Sequence, residues 1–260
     1  MDPSVFEVDD PALQEWITTL ASTEALPLVR YRVDGSLPVV LTAPHGGLPS
    51  VGSQAGLTLR TFGRLMGDKH TMSLVSEIDV ALQGMMGRQA NVTTALFHRK
   101  FIDLNRHARE AYPPDCTNAR KNYDAYHERV SECIDNALPS MGGRCILLDI
   151  HGMGTYADNL VVGTRNGTTC DSDVRSGTNA HAPHSGFMWH LRRLLGNMVL
   201  PLTGDKDVQE YSGGHTVKRH GKGRCDAFQL EFGGDLRGDV MQRRAVATSV
   251  AEAITHTLYP

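Results

Sequence analysis

No stretch of the sequence approaches the ~20 consecutive apolar residues that a membrane-spanning helix requires, so no membrane association is expected. The opening MDPSVFEVDD lacks both the basic region and the apolar run of a secretory leader. Paired cysteines are missing as well. Cys116, Cys133, Cys145, Cys170 and Cys225 form an odd, scattered set without a CxxC, which argues against a disulfide framework and a cysteine-based zinc module. A reducing, cytoplasmic compartment is the simplest setting for such a set. Neither sign of charge dominates, with 26 Lys plus Arg against 29 Asp plus Glu and a formal net charge of −3. That balance removes the long-range attraction on which binding to nucleic acid depends. Repeats and low-complexity linkers are absent too, so one α/β domain spanning residues 1–260 is expected.

What is plentiful is histidine, 12 in all, several beside glycine, where backbone and ring can both approach a ligand. The apolar runs around them alternate between two periods. Asp10 and Pro11 open a helix over PALQEWITTLAS, Leu28 to Val33 reads as a strand, and Asp34-Gly35 marks a turn before the buried strand LPVVLTA. A helix over residues 66 to 86 precedes the strand NVTTALF, and a long helix over Arg120 to Leu138 precedes RCILLDI, with His151 immediately after it. NLVVGT, NMVLPLTG and DAFQLEF add short strands, and Val240 to Leu258 closes the chain with a helix. Such alternation predicts a sheet covered by helices on both faces, with polar strand ends opening into one crevice.

His45 and His151 share a context, each following an apolar strand and preceding glycine, so a common sheet edge can bring their rings together as metal ligands. Taken singly, each also suits a turn histidine bonded to backbone. Asp68 in GDKHT is the first candidate for a third ligand, because a carboxylate compensates charge beside two neutral imidazoles. It equally suits a helix cap, and His70 could replace or support it. HRKFIDLNR supplies Arg99, Asp103, Asn105 and Arg106, a set suited to carboxylate recognition or to a surface salt-bridge network around Asp103.

Further on, Gly213-Gly214, His215, Arg219 and His220 fall in an expected loop ahead of DAFQLEF. Period-two geometry puts Gln229 and Glu231 on one face of that strand and Phe228, Leu230 and Phe232 on the other. Facing a crevice, Glu231 can take a proton from water; facing solvent, it is an ordinary strand glutamate. Cys170 in NGTTCD has no paired base and reads as loop structure. His181, His184 and His190 are expected at a helix start and on its exposed face, without a role.

Taken in order, PHGG, GDKHT, FHRKFIDLNR, LDIHG, GTRNGTTCD, GGHTVKRHG and FQLE resemble the N-formylglutamate amidohydrolase family, over roughly residues 38 to 235. The IDLNR segment and the run from GGHTVKRHG to QLE carry most of the likeness. The resemblance implies a zinc carboxypeptidase-like fold, three-layer αβα with a mixed, mostly parallel central sheet. It implies one Zn2+, or another divalent metal, on His45, Asp68 and His151, with Glu231 as catalytic carboxylate. It also implies that Arg99 polarises the scissile carbonyl, that Asn105 and Arg106 hold a substrate carboxylate, and that His215 and His220 border the pocket. Gly46 and Gly152 stand where the family often has small or hydroxyl residues, Lys69 where an aromatic is frequent, and FGGDLRGD lacks the expected aromatic ending.

The expected activity is hydrolysis of a small acylated amino acid, N-formyl-L-glutamate yielding formate and L-glutamate. A zinc peptidase acting on short or γ-linked glutamyl peptides shares the same catalytic centre. A catalytically silent carboxylate-binding protein is the reading from another class. Oligomeric state leaves no mark on the sequence.

Overall fold

Four runs, Val39–Ala43, Asn91–Ala95, Cys145–Gly152 and Cys225–Phe232, are buried at every position. Strands without a solvent face need cover on both sides. The computed structural model describes residues 28–141, 144–170, 186–201, 206–223 and 225–259. In it, β1 (Val29–Arg32), β2 (Val39–Ala43), β3 (Asn91–Ala95), β4 (Cys145–Gly152), β5 (Leu160–Gly163), β6 (Val199–Leu200) and β7 (Cys225–Phe232) form a 7-stranded sheet in the order β1-β3-β2-β4-β7-β5-β6. The β3–β2, β2–β4, β4–β7 and β5–β6 pairs are parallel, and β1–β3 and β7–β5 are antiparallel. The sheet is therefore mixed and mostly parallel, as expected.

The main helices are α1 (Thr71–Met86), α2 (Thr117–Ala137), α3 (Phe187–Leu195), α4 (His215–His220) and α5 (Val240–Leu258). In α2 the buried residues Tyr123, Tyr126, Val130, Ile134 and Ala137 follow the three-and-four spacing that makes one apolar stripe. Asp239 caps α5 by accepting from the Gln242 amide at 2.9 Å.

Strand alternation shows which helix covers which face. In β3, Asn91 and Thr93 meet Asn136 and Cys133 of α2, whereas Val92 and Thr94 line a small cavity with Met72 and Val75 of α1. In β1, Tyr31 lies under the Arg129 guanidinium of α2, while Arg32 pairs with Asp79 of α1. The two helices thus lie on opposite faces. α5 packs on α1 and α3, and α4 packs on β7 and α2, completing three layers. The chain leaves β2 for α1 on one face and β3 for α2 on the other. A crevice accordingly opens at the carboxyl ends of the parallel strands.

Four expectations are corrected. β4 runs through Gly152, so His151 lies inside the strand, in register with Glu231 of β7. The stretch His215–His220 is a helix, its Thr216 and Val217 buried, too short to show a period in sequence. His190 is buried in α3, its ring stacked at 5.3 Å on His256 of α5, not on an exposed face. The helix expected from residue 66 begins at Thr71, after His70 takes a left-handed φ of 63°. The helix expected over residues 11–22, and His181 and His184, lie outside the described residues. Among the described residues no helix is long and apolar enough to cross a membrane.

Candidate metal centre and catalytic cavity

His45 sits on the Pro44-His45-Gly46-Gly47 turn just past β2. A Cβ on Gly46 would stand 2.5 Å from Thr71 Oγ1 and 2.8 Å from Met72 Cγ, so glycine lets this turn lie directly on the start of α1. The Asp68 amide donates to the His45 carbonyl at 3.1 Å, tying the second loop to the first. His151 arrives on β4, and the Gly152 amide donates to Asp68 Oδ2 at 3.2 Å. Three side-chain atoms converge as a result: His45 Nδ1 and His151 Nδ1 are 3.2 Å apart and lie 3.2 and 3.0 Å from Asp68 Oδ2. All three residues are buried.

The outer nitrogens fix what the inner ones present. His45 Nε2 is 2.8 Å from Asp103 Oδ1, and His151 Nε2 is 2.9 Å from Asp149 Oδ2. Each Nε2 faces a carboxylate that only accepts, so with a metal bound between the rings each Nε2 would keep its proton and each Nδ1 would present a lone pair inward. Two ring nitrogens and a carboxylate oxygen at about 3 Å form a compact donor set that a positive charge between them, a proton or a metal ion, stabilises. A tetrahedral metal with ligand bonds of ~2.0–2.1 Å sets its ligand atoms about 3.3 Å apart, close to this spacing. The donor set therefore fits one divalent cation. His70, the alternative third ligand, stands outside this triad.

Charge is distributed to match. Burial by itself would raise the Asp68 carboxyl, but His45 and His151 outweigh it and hold it well below the ordinary value. Asp103 is likewise pulled down against its burial by His45 and Arg99. Glu231 goes the other way: burial raises it, only partly offset by His151.

The network around Asp103 is buried, which corrects the surface alternative. Arg99 Nε and Nη2 donate to Asp103 Oδ2 at 2.9 and 2.7 Å, while Arg99 Nη1 stands 4.0 Å from Asp68 Oδ1. Asn105 is fixed on both ends of its amide: Oδ1 accepts from the Thr216 N–H at 2.9 Å and Nδ2 donates to Gln229 Oε1 at 3.0 Å. Gln229 Oε1 also accepts from the Gly214 N–H at 2.8 Å, and its Nε2 donates to Glu231 Oε1 at 2.9 Å. The glutamate is thereby aimed through a chain of amides. Gly214 permits this close approach, since a Cβ there would fall 2.2 Å from Asn105 Nδ2.

A cavity of about 430 Å³ covers this floor, with His45, His151, Glu231, Arg99, Asn105 and Arg106 in its wall. His215 lines an adjoining cavity instead. His220 turns to His127, its Nε2 3.1 Å from His127 Nδ1. Burial, with Arg219 adding to it, pushes both His215 and His220 down to about 4. Cys170 is buried and absent from the wall. Asp149, Arg64 and Arg165 were not among the residues expected at the site, and the last two line the cavity. Asp149 was legible, because it stands two residues before His151 on the same strand face.

Residues 117–236 match the family model described as N-formylglutamate amidohydrolase. That segment carries His151, His215, His220 and Glu231; His45, Asp68, Arg99, Asn105 and Arg106 precede it. The chain is similar in structure to the N-formylglutamate amidohydrolase of Ralstonia eutropha JMP134, at 16% identity over 88% of this chain and 98% of that one, with a TM-score of 0.58. It is also similar to a gene product of Agrobacterium tumefaciens, at 17% identity over 91% and 96% of the two chains, with a TM-score of 0.63. Among curated proteins none matches. The family resemblance read from the motifs is borne out by the matched segment, and the fold by the two structures.

Proposed function

We propose that the protein is a metal-dependent amidohydrolase cleaving the N-acyl bond of an acidic amino acid, with N-formyl-L-glutamate as the leading single-residue substrate and formate and L-glutamate as its products. The observation that carries this reading is the convergence of His45 Nδ1, Asp68 Oδ2 and His151 Nδ1 beside a cavity whose wall contains both histidines and Glu231. Zn2+ suits the donor set, and when bound there it supplies Lewis acidity towards an acyl oxygen and acidifies water.

The chain's own groups provide the rest. Glu231, raised by burial and held at one oxygen by Gln229, accepts the proton of the attacking water and returns it to the leaving nitrogen. The water oxygen bonds to the acyl carbon, the carbon–nitrogen bond breaks, and the amine leaves protonated. Arg99, with two nitrogens anchored on Asp103, offers Nη1 to the oxygen on which negative charge develops; anchoring makes that donor ready before the transition state. Arg106 and Arg165 hold substrate carboxylates, and Asn105, already engaged, keeps Gln229 in place.

The test is product detection with zinc-loaded protein and N-formyl-L-glutamate. Formate and glutamate released in equal amounts support the reading. A metal-replete protein that turns over neither this nor any other N-acyl glutamate or aspartate contradicts it.

A further inference from the structure

Beside the catalytic cavity lies a second one of about 450 Å³, walled by Arg106, Arg109, Arg165, Lys218, Arg219 and His215. The two share Asn105, Arg106, Arg165, Gly213 and Gly214, so they are neighbours with a pair of arginines at their common boundary. The second cavity has one acidic residue in its wall, Glu110, and the Arg109 Nε already lies 3.3 Å from it. A chain with a net charge of −3 has thus gathered five cations at one opening. Among the described residues no carboxylate pairs with Arg106, Arg165, Lys218 or Arg219. Arg106 Nη1 and Arg165 Nη1 rest on the backbone oxygens of Asn105 and Gly213, which steadies each fork and leaves its other N–H groups for a ligand.

Size separates this space from the needs of the proposed reaction. A single acylated amino acid is about one residue long, ~3.5 Å of extended chain, and the first cavity alone falls within the ~300–1,000 Å³ of ordinary ligand sites. A second volume of similar size, lined by guanidinium and ammonium groups, has no work to do for such a substrate. Its position next to the proposed amide-cleaving centre favours an amide-linked chain, and guanidinium forks pair with carboxylates through two parallel hydrogen bonds. We infer that the second cavity is a subsite for additional acidic residues of the substrate, so that short chains of acidic amino acids are preferred over a single one. This rests on the hydrolase reading of the first cavity. Arg109, Lys218 and Arg219 then hold carboxylates beyond the bond that is cleaved. The chemistry is unchanged: water adds across one amide, leaving a carboxylate and a free amine.

The experiment compares kcat/KM of the zinc-loaded protein for N-acetyl-L-glutamate and for N-acetyl-tri-L-glutamate, α- and γ-linked. The trimer in one linkage is expected to be favoured at least tenfold, with the preference shrinking at high salt. In the Arg109→Ala/Lys218→Ala protein the ratio of the two values is expected to fall towards one. Equal values in the wild type, or an unchanged ratio in the double variant, would overturn the subsite. Binding to the Glu231→Gln protein by calorimetry separates the two claims. If neither compound is hydrolysed but the trimer binds at least tenfold tighter, the subsite stands and the hydrolase reading fails. If the single residue is hydrolysed and the trimer gains nothing, the hydrolase reading stands and the subsite fails. A tetranucleotide competing as well as the trimer would also overturn the assignment to acidic peptide.

Discussion

Replacing Asp149 by asparagine tests how the metal centre is held. Asp149 is wholly buried in β4, with Oδ2 2.9 Å from His151 Nε2 and Oδ1 2.6 Å from Thr42 Oγ1. Asparagine keeps the shape, and its amide oxygen still accepts from the imidazole. The Thr42 hydroxyl can turn to donate to the Leu148 carbonyl, 3.4 Å away, and accept from the new amide instead. What disappears is the negative charge behind the ring. Charge-assisted hydrogen bonds are roughly twice as strong as neutral ones, and the carboxylate behind a metal-ligating histidine is typically worth about 10–100-fold in metal affinity. Asp149→Asn is therefore expected to weaken Zn2+ binding by about 1.4–2.7 kcal/mol. Competition with a chromophoric chelator measures this, and thermal unfolding of the metal-free proteins checks that both are folded. An affinity within twofold of wild type would refute the claim that Asp149 sets the tautomer and basicity of His151.

Three further outcomes are expected. Glu231→Gln should keep its metal and lose about 10²–10⁴-fold in kcat, the usual worth of a positioned general base; an unchanged rate removes its role. Gly214→Ala puts a Cβ 2.2 Å from Asn105 Nδ2, and because that amide is pinned by Thr216 and Gln229 the shift propagates to Glu231. Its kcat should fall about 10²-fold at full metal occupancy, as read by steady-state kinetics on a metal-quantified sample. His127 supplies a pH signature in stability. Burial first, then His220 and Arg219, lower it to about 2, while unfolded histidine titrates near 6.5. The folded state then binds fewer protons than the unfolded one below pH 6.5, so the stability contributed by neutral His127 is full above that pH and is lost as pH falls towards 2. His127→Gln should flatten the slope of unfolding free energy against pH below 6.5 by up to about 1.4 kcal/mol per unit, measured by denaturant titration.

The buried strands were legible because LPVVLTA and RCILLDI carry apolar residues in both strand registers, a pattern that suits a doubly covered sheet, and because DAFQLEF alternates with period two. The paired contexts of His45 and His151 were legible for a related reason: parallel strands bring their carboxyl ends to one edge. Asp103 was harder. It lies between two arginines, flanked by Ile102 and Leu104, and a segment so mixed does not by itself tell a solvated cluster from a desolvated one; its partners include His45 and Arg60, far along the chain. Helix α4 escaped because its six residues show too little periodicity, and its place is set by backbone ties to Asn105 and by Val217 in the core. Arg165 takes a left-handed φ of 50° on a turn tied to Asp207, a contact across 41 positions that no local pattern signals.

The most direct measurement is anomalous diffraction at the zinc edge from crystals of the zinc-loaded protein. A single strong peak within ~2.0–2.2 Å of His45 Nδ1, Asp68 Oδ2 and His151 Nδ1 is predicted. A peak held by other residues, or no ordered peak at full zinc loading, would contradict the account.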